Sequence, residues 1–137
     1  MPEKQRFPYT VNDKDLGEAS LMPYLPLTLH SENNSIEVVA LVDSGATVSV
    51  LPYSVGVQLG FKWEDQQTSV TLSGNLAQLE AKGVLILGSV THFEPVKLVF
   101  AWVKSDSMPI LLGQTNFFME FNLYFYRTQQ FFEIEPK

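Results

Sequence analysis

A chain of 137 residues with a net charge of −6 and no cysteine predicts a single soluble domain built around one core. The acidic balance argues against a nucleic-acid or anionic-membrane partner, since both bind basic surfaces. The lack of cysteine excludes disulfides and zinc–thiolate sites, and no apolar run resembles a signal peptide or a membrane span, so a cytoplasmic protein is expected.

The amino-terminal part of the chain leads into the predicted strands. Residues 1–22 are polar, mixed in charge and without a clear period, so they predict an arm or extended lead-in to a domain over residues 23–137. The first strand is predicted over residues 24–30, where Pro26 favours an edge position. A turn cluster then separates it from a strand over residues 36–42.

The second strand ends directly in an acid. Asp43 follows four apolar residues, a position that is costly for a carboxylate unless it is hydrogen-bonded or functional. Gly45 can supply a backbone conformation that other residues avoid and permits close approach of another chain segment. The Ser44 hydroxyl can brace the same loop. A hairpin whose acid merely caps a turn is the alternative interpretation.

Polar and apolar residues alternate again after the acidic loop. Residues 47–52 end at a proline and are predicted to form the return strand after the acidic loop. A short helix is expected over residues 53–59 and should end near Gly60, although Gly56 is unfavourable in it.

The middle of the chain predicts further strands. Alternating segments at residues 69–72 and 76–81 flank the turn residues Ser73, Gly74 and Asn75, which is typical of a β-hairpin. Two more strands are predicted over residues 83–88 and 96–103.

The end of the chain is rich in aromatic residues. The apolar run at residues 110–113 closes on a glycine and leads into a short helix expected from Gln114 or Thr115 through Glu120. Strands over residues 121–125 and 131–136 follow, with apolar side chains on both faces, which indicates burial on both sides. A subunit interface is one way to achieve that burial in a small domain.

Three of these features resemble the retropepsin-like aspartic proteases, and in order they cover about residues 24–136. They are the stretch Leu41-Val42-Asp43-Ser44-Gly45-Ala46-Thr47 followed by Leu51-Pro52, the run Ile110-Leu111-Leu112-Gly113 before a helix, and the closing strand pair. Ser44 replaces the commoner threonine, a variant that the family tolerates. The resemblance is to soluble microbial members and implies an all-β closed barrel of short strands with a flap hairpin and one short C-terminal helix, assembled as a homodimer.

The resemblance also implies roles for individual residues. Asp43 would be the catalytic residue, without a metal or cofactor. The remaining residues would support the active-site loop (Ser44, Gly45, Ala46, Thr47 and Gly113) or form the tip of the flap over a bound peptide (Ser73, Gly74 and Asn75). An ordinary surface hairpin is the alternative for the flap, and a segment that the enzyme trims itself is the alternative for the arm.

The Asp-Ser-Gly stretch occurs once in the chain. Aspartic-protease chemistry needs two carboxylates that share one proton and face one water. The other aspartates lie in polar contexts (Asp13, Asp15, Asp65 and Asp106). The second carboxylate is therefore expected from Asp43 of another copy, in a dimer that cleaves peptides at hydrophobic residues on the acid side of neutral.

Other functions fit the sequence less well. His30 and His92 lack the spacing of metal ligands, so a zinc site is not predicted. Ser44 and Ser49 lack the surroundings of a serine-hydrolase nucleophile. The main rival keeps the fold and loses catalysis, as a silent dimerisation or peptide-binding module. A sheet-rich binding domain unrelated to proteases would instead be monomeric.

Overall fold

The structure is a computed structural model that describes residues 3–11 and 20–137. Within them the chain forms twelve β-strands and two short α-helices. The strands are β1 (Gln5–Pro8), β2 (Thr10–Val11), β3 (Leu21–Met22), β4 (Tyr24–His30), β5 (Ser35–Val42), β6 (Ser49–Leu51), β7 (Ser69–Val70), β8 (Ala81–Ser89), β9 (Val96–Val103), β10 (Ile110–Leu112), β11 (Phe121–Tyr126) and β12 (Phe131–Pro136). The helices are α1 (Tyr53–Gln58) and α2 (Phe117–Glu120). None of the helices described is long and apolar enough to cross a bilayer.

Six strands close into a barrel in the order β4, β5, β10, β6, β9 and β8. The barrel closes where the end of β8 pairs with the end of β4, and β7 pairs with the beginning of β8 on the same edge, opposite β9. β5 and β10 run parallel, as do β6 and β9, while the remaining neighbours are antiparallel. The all-β closed barrel expected from the sequence is therefore confirmed.

The prediction that residues 47–52 form the return strand of a hairpin is wrong in its pairing. β6 lies there, but β10 is inserted between β5 and β6, so that Leu111 pairs with Leu41 on one side and Val50 on the other. A strand that arrives about 60 residues later along the chain competes for the edge of β5, and local alternation carries no signal of it. The insertion places the residues after β10 beside Asp43.

The hairpin predicted around residues 73–75 has the expected antiparallel pairing, of β7 with β8, but its strand lengths and its turn are wrong. β7 has only two residues and β8 begins at Ala81, so residues 71–80 form a longer segment, here called the 71–80 loop, with a 3₁₀ turn at Gly74–Leu76. Leu72 is buried, and Leu76 packs against the same apolar cluster. Leu72, Leu76 and Leu79 join this cluster at spacings of four and three residues, which does not fit the two-residue period of a regular strand.

Most other elements agree with their predictions. β4 and β5 match closely, and β8 pairs only with the last three residues of β4, so Pro26 lies where that strand has a single neighbour. α1 ends before Gly60, which has a φ of +93°. Gly56 inside α1 has a packing role, because a β-carbon there would lie 2.2 Å from Nε1 of Trp102. α2 begins at Phe117, later than expected.

The core consists of two clusters. The larger one fills the barrel and extends under the sheet formed by β1, β12 and β11, with Trp102, Phe100, Phe117 and Phe132 fully buried. The smaller one lies beneath the 71–80 loop. Part of the predicted arm, β1, pairs with β12. Residues 12–19, including Asp13 and Asp15, lie outside the described residues.

Candidate active site

Asp43 lies one residue beyond β5, in a turn that is closed by backbone hydrogen bonds. The Asp43 N–H donates to the Leu112 carbonyl oxygen at 2.9 Å, and the Ala46 N–H donates to the Asp43 carbonyl oxygen at 3.1 Å. The half-buried carboxylate accepts a hydrogen bond from the Gly45 N–H, with 2.9 Å between N and Oδ1. The barrel thus holds one acid at a fixed position on the end of a strand.

Gly45 provides space next to the carboxylate and does not supply an unusual backbone conformation. It does not adopt a positive φ, so the expectation of a conformation that other residues avoid is wrong here. A β-carbon on Gly45 would lie 3.3 Å from Oδ1 of Asp43, closer than most side-chain contacts. The glycine therefore allows the carboxylate to fold back onto the backbone that binds it.

The turn after β10 packs directly on the Asp43 loop. The N–H groups of Gln114 and Thr115 donate to the carbonyl oxygens of Ala46 and Thr47, at 2.9 and 2.8 Å. Gly113 is buried between the two segments and has no room for a side chain. Residues 113–115 therefore fix the loop that carries the acid, which gives Gly113 a clear physical reason to be glycine.

Two side chains in this contact were missed by the sequence interpretation. The buried Ser49 Oγ accepts a hydrogen bond from the Gly113 N–H at 3.0 Å. Gln114 Nε2 donates to the Ser44 carbonyl oxygen at 2.8 Å. The only sequence evidence for the role of Ser49 is that a hydroxyl residue lies within an apolar run. An exposed glutamine such as Gln114 carries no such evidence.

A cavity of about 390 Å³ opens beside Asp43, a size suited to small ligands and peptide side chains. The turn residues Gly45, Ala46 and Thr47 line one side of it together with Asp43. The 71–80 loop also lines the cavity, through Leu72, Ser73, Gly74, Asn75 and Leu76. Val48, Val50 and Leu111 add an apolar wall. The structure thus brings the predicted acid and the three predicted flap residues to one cavity.

Ser44 does not line that cavity. It lies with Asp43 at a second, more apolar depression of about 520 Å³, here called the Ser44 groove. Its other lining residues are Tyr9, Met22, Pro23, Leu41, Val42 and Phe125. Met22 and Phe125 are each about 40% exposed, at 41% and 39%, so an apolar surface surrounds the acidic loop on this side.

The charges at the site are few. Among the described residues that line the cavity and the Ser44 groove, Asp43 is the one carboxylate. In the described part of the chain, no three histidine, cysteine or acidic side chains cluster so as to hold a metal ion. His30 hydrogen-bonds to the hydroxyls of Ser35 and Ser89, away from the cavity. Burial raises the pKa of Tyr9 in the groove, against an opposing effect of Arg127.

Comparison with known proteins identifies the fold. No protein-family profile matches the chain, and no curated protein sequence matches it. Among solved structures, the chain is similar to the crystal structure of a retropepsin-like aspartic protease from Rickettsia conorii, with a TM-score of 0.65 and 13% sequence identity. The match covers 99% of this chain and 94% of the other. The fold is therefore retropepsin-like, as the sequence resemblance implied.

Proposed function

We propose that this protein is an aspartic endopeptidase in which two copies of Asp43, one from each subunit of a homodimer, activate a water molecule. The observation that carries the proposal is the Asp43 carboxylate, held by the Gly45 N–H beside a cavity with no second acid in its described lining. Aspartic-protease chemistry requires a pair of carboxylates. A two-fold axis close to Ser44 would supply the second one.

The chemistry follows from a pair of carboxyl groups with one shared proton. The ionised member accepts a proton from water as the oxygen attacks the peptide carbonyl carbon, and the protonated member donates a hydrogen bond to the carbonyl oxygen. The tetrahedral intermediate then breaks its C–N bond as the nitrogen takes up a proton. No bond to the protein forms, so no serine or cysteine nucleophile is required.

The cavity favours a peptide with apolar side chains near the cleaved bond. Val48, Val50 and Leu111 are apolar and partly or fully buried next to Asp43. The exposed residues 73–75 of the 71–80 loop line the same cavity as Asp43 and could offer backbone groups to a bound peptide. A role as a flap is therefore proposed for them, as part of the long loop that joins the antiparallel strands β7 and β8.

The Ser44 groove is the surface proposed for the subunit interface. Its lining is mostly apolar, and it includes Ser44 and the carboxylate-bearing Asp43. Apolar surface of this kind is stabilised by burial against a second copy. A dimer formed here would place the two acidic loops next to each other.

The cytoplasmic location expected from the sequence stays a prediction.

The test is cleavage of a mixed peptide library between about pH 3 and 7, with wild type and Asp43→Asn compared side by side. Cleavage favoured by acid and abolished by the substitution supports the protease. Equal cleavage by both proteins would assign the activity to a contaminant or another site. If neither cleaves while sedimentation shows a folded dimer, the protein is better described as a catalytically silent dimerisation or peptide-binding module.

A further inference from the structure

We propose that Gln114 is a positioning residue that orients the Asp43 carboxylate through a single peptide group, the one that joins Ser44 to Gly45. The predicted effect of Gln114 on catalysis rests on the function proposed above, whereas its effect on the orientation of the peptide group does not. Gln114 lies on the turn after β10 and does not line the cavity beside Asp43. It would act on the acid only through the backbone between them.

The two ends of one peptide group connect Gln114 to Asp43. The carbonyl oxygen of Ser44 accepts a hydrogen bond from Gln114 Nε2 at 2.8 Å. The N–H on the other side of the same peptide bond, that of Gly45, donates to Asp43 Oδ1 at 2.9 Å. Because a peptide group is planar, holding its oxygen also sets the direction of its N–H.

The Ser44–Gly45 peptide group is the part of the loop that can adopt two opposite orientations, and the second is here called the turned-over form. Residues 43–46 form a β-turn closed by the bond from the Ala46 N–H to the Asp43 carbonyl oxygen, and the Ser44–Gly45 peptide is its centre. Type I and type II turns share that closing bond and differ in the orientation of the central peptide. Type II requires a positive φ at the third residue, which glycine adopts without steric cost.

A glycine at residue 45 permits both orientations of the peptide group, and we infer that Gln114 favours the one that binds Asp43. A β-carbon on Gly45 would crowd Asp43 Oδ1 at 3.3 Å, and the glycine that avoids this contact also makes the turned-over form accessible. In the structure Gly45 does not have a positive φ, so its N–H points at the carboxylate. The turned-over form would replace this N–H with the carbonyl of Ser44 and remove the donor from the acid.

The backbone contacts of the loop hold only the ends of the turn. The Asp43 N–H is bound to Leu112 and the Ala46 carbonyl oxygen is bound by the Gln114 N–H. These bonds remain possible in both turn types, whereas the bond from the Gln114 side chain is made only when the Ser44 oxygen faces it. A hydrogen bond to that oxygen also polarises the peptide, which strengthens the Gly45 N–H as a donor.

The decisive experiment compares Gln114→Met with Gln114→Glu. Methionine has a similar length and no donor, so kcat should fall roughly tenfold with little change in KM. Glutamic acid can donate through its protonated carboxyl group but repels the Ser44 oxygen once ionised. Gln114→Glu should therefore approach wild-type kcat below about pH 4 and fall to the methionine level above it. Gln58→Met, at an exposed position on α1, is the control and should match wild type.

A measurement that needs no activity separates this proposal from the proposed function. The Gly45 amide proton should resonate downfield in wild type, in Gln58→Met and in Gln114→Glu at low pH, and should move upfield and exchange faster in Gln114→Met. This pattern would support the positioning role even if wild type cleaved nothing and the protease were refuted. An unchanged Gly45 resonance in Gln114→Met, or an equal kcat for Gln114→Met and an active wild type, would overturn it.

Discussion

A β-carbon on Gly113 would lie 2.5 Å from the carbonyl oxygen of Val48 and 2.8 Å from that of Ala46. Both are backbone atoms of the loop that carries Asp43, so they cannot swing away as a flexible side chain would. Gly113→Ala should therefore push the loop off the turn after β10. We expect a loss of about 1–3 kcal/mol in unfolding free energy, as for other overpacked cores, measured by urea denaturation.

Gly83→Ala is the matched control for that substitution. The β-carbon at residue 83 would meet Thr68 at 3.6 Å, an ordinary van der Waals distance, and Gly83 lies in the barrel strand β8. Equal stability of Gly113→Ala and Gly83→Ala would contradict the close packing of the two loops.

Ser49→Ala removes the acceptor for a buried N–H. The Ser49 hydroxyl is only 1% exposed and binds the Gly113 N–H at 3.0 Å. Because the donor would be left without its partner in the protein interior, we expect a cost of about 1–3 kcal/mol. Thermal and urea unfolding measure it, with the exposed Ser69→Ala as the control. A Ser49→Ala protein as stable as Ser69→Ala would show that another group, such as water, satisfies Gly113.

The elements that the sequence predicts well are those whose signal is local. The strand before Asp43 is a short apolar run that ends in polar turn residues, and α1 has a proline before it and a glycine after it, so both were placed correctly. The link between Asp43 and Gly113 could be inferred only from the family resemblance. Nothing in the composition of either segment says that β10 enters between β5 and β6.

The parts that could not be predicted depend on long-range contacts. The 71–80 loop alternates like a hairpin, but Leu72 is drawn into a small cluster with Val50 and Val103, which come from other strands. The Gln114 side chain reaches Ser44, 70 residues earlier in the chain. Such contacts are set by the closed barrel, and an exposed glutamine after a glycine carries no periodic signal.

Phe125→Asp should weaken the proposed dimer. Phe125 lines the Ser44 groove with 39% of its surface exposed, so a charge there would oppose burial against a second copy. Sedimentation should show a shift toward monomer of roughly tenfold or more, and peptide cleavage should fall with it. Val57→Asp, at an exposed residue of α1, is the control. If both variants sediment as wild type does, the interface lies elsewhere.

Ionisation of the Tyr9 phenol should make the protein less stable at alkaline pH. Burial raises the pKa of its phenol above the ordinary 10.0, which means that the folded state holds this proton more tightly than the unfolded state. Stability is therefore retained below pH 10 and is lost as the pH rises through the folded value. Tyr9→Phe should flatten this decline in urea unfolding measured across the alkaline range. An unchanged slope would mean that other groups cause the alkaline loss.

Leu72→Ala should release the 71–80 loop from the barrel. Leu72 is 7% exposed and packs with Val50 and Val103, next to loop residues that line the same cavity as Asp43. Truncating a buried leucine typically costs about 2–5 kcal/mol, and here the loss should appear mainly as local opening, because this cluster is small. Hydrogen exchange at residues 73–77 should accelerate, and kcat/KM should fall because the loop no longer closes the cavity over a peptide. Gln78→Ala, an exposed change in the same loop, should alter neither. If exchange accelerates in Leu72→Ala while kcat/KM is unchanged, the loop is anchored as described but does not act as a flap.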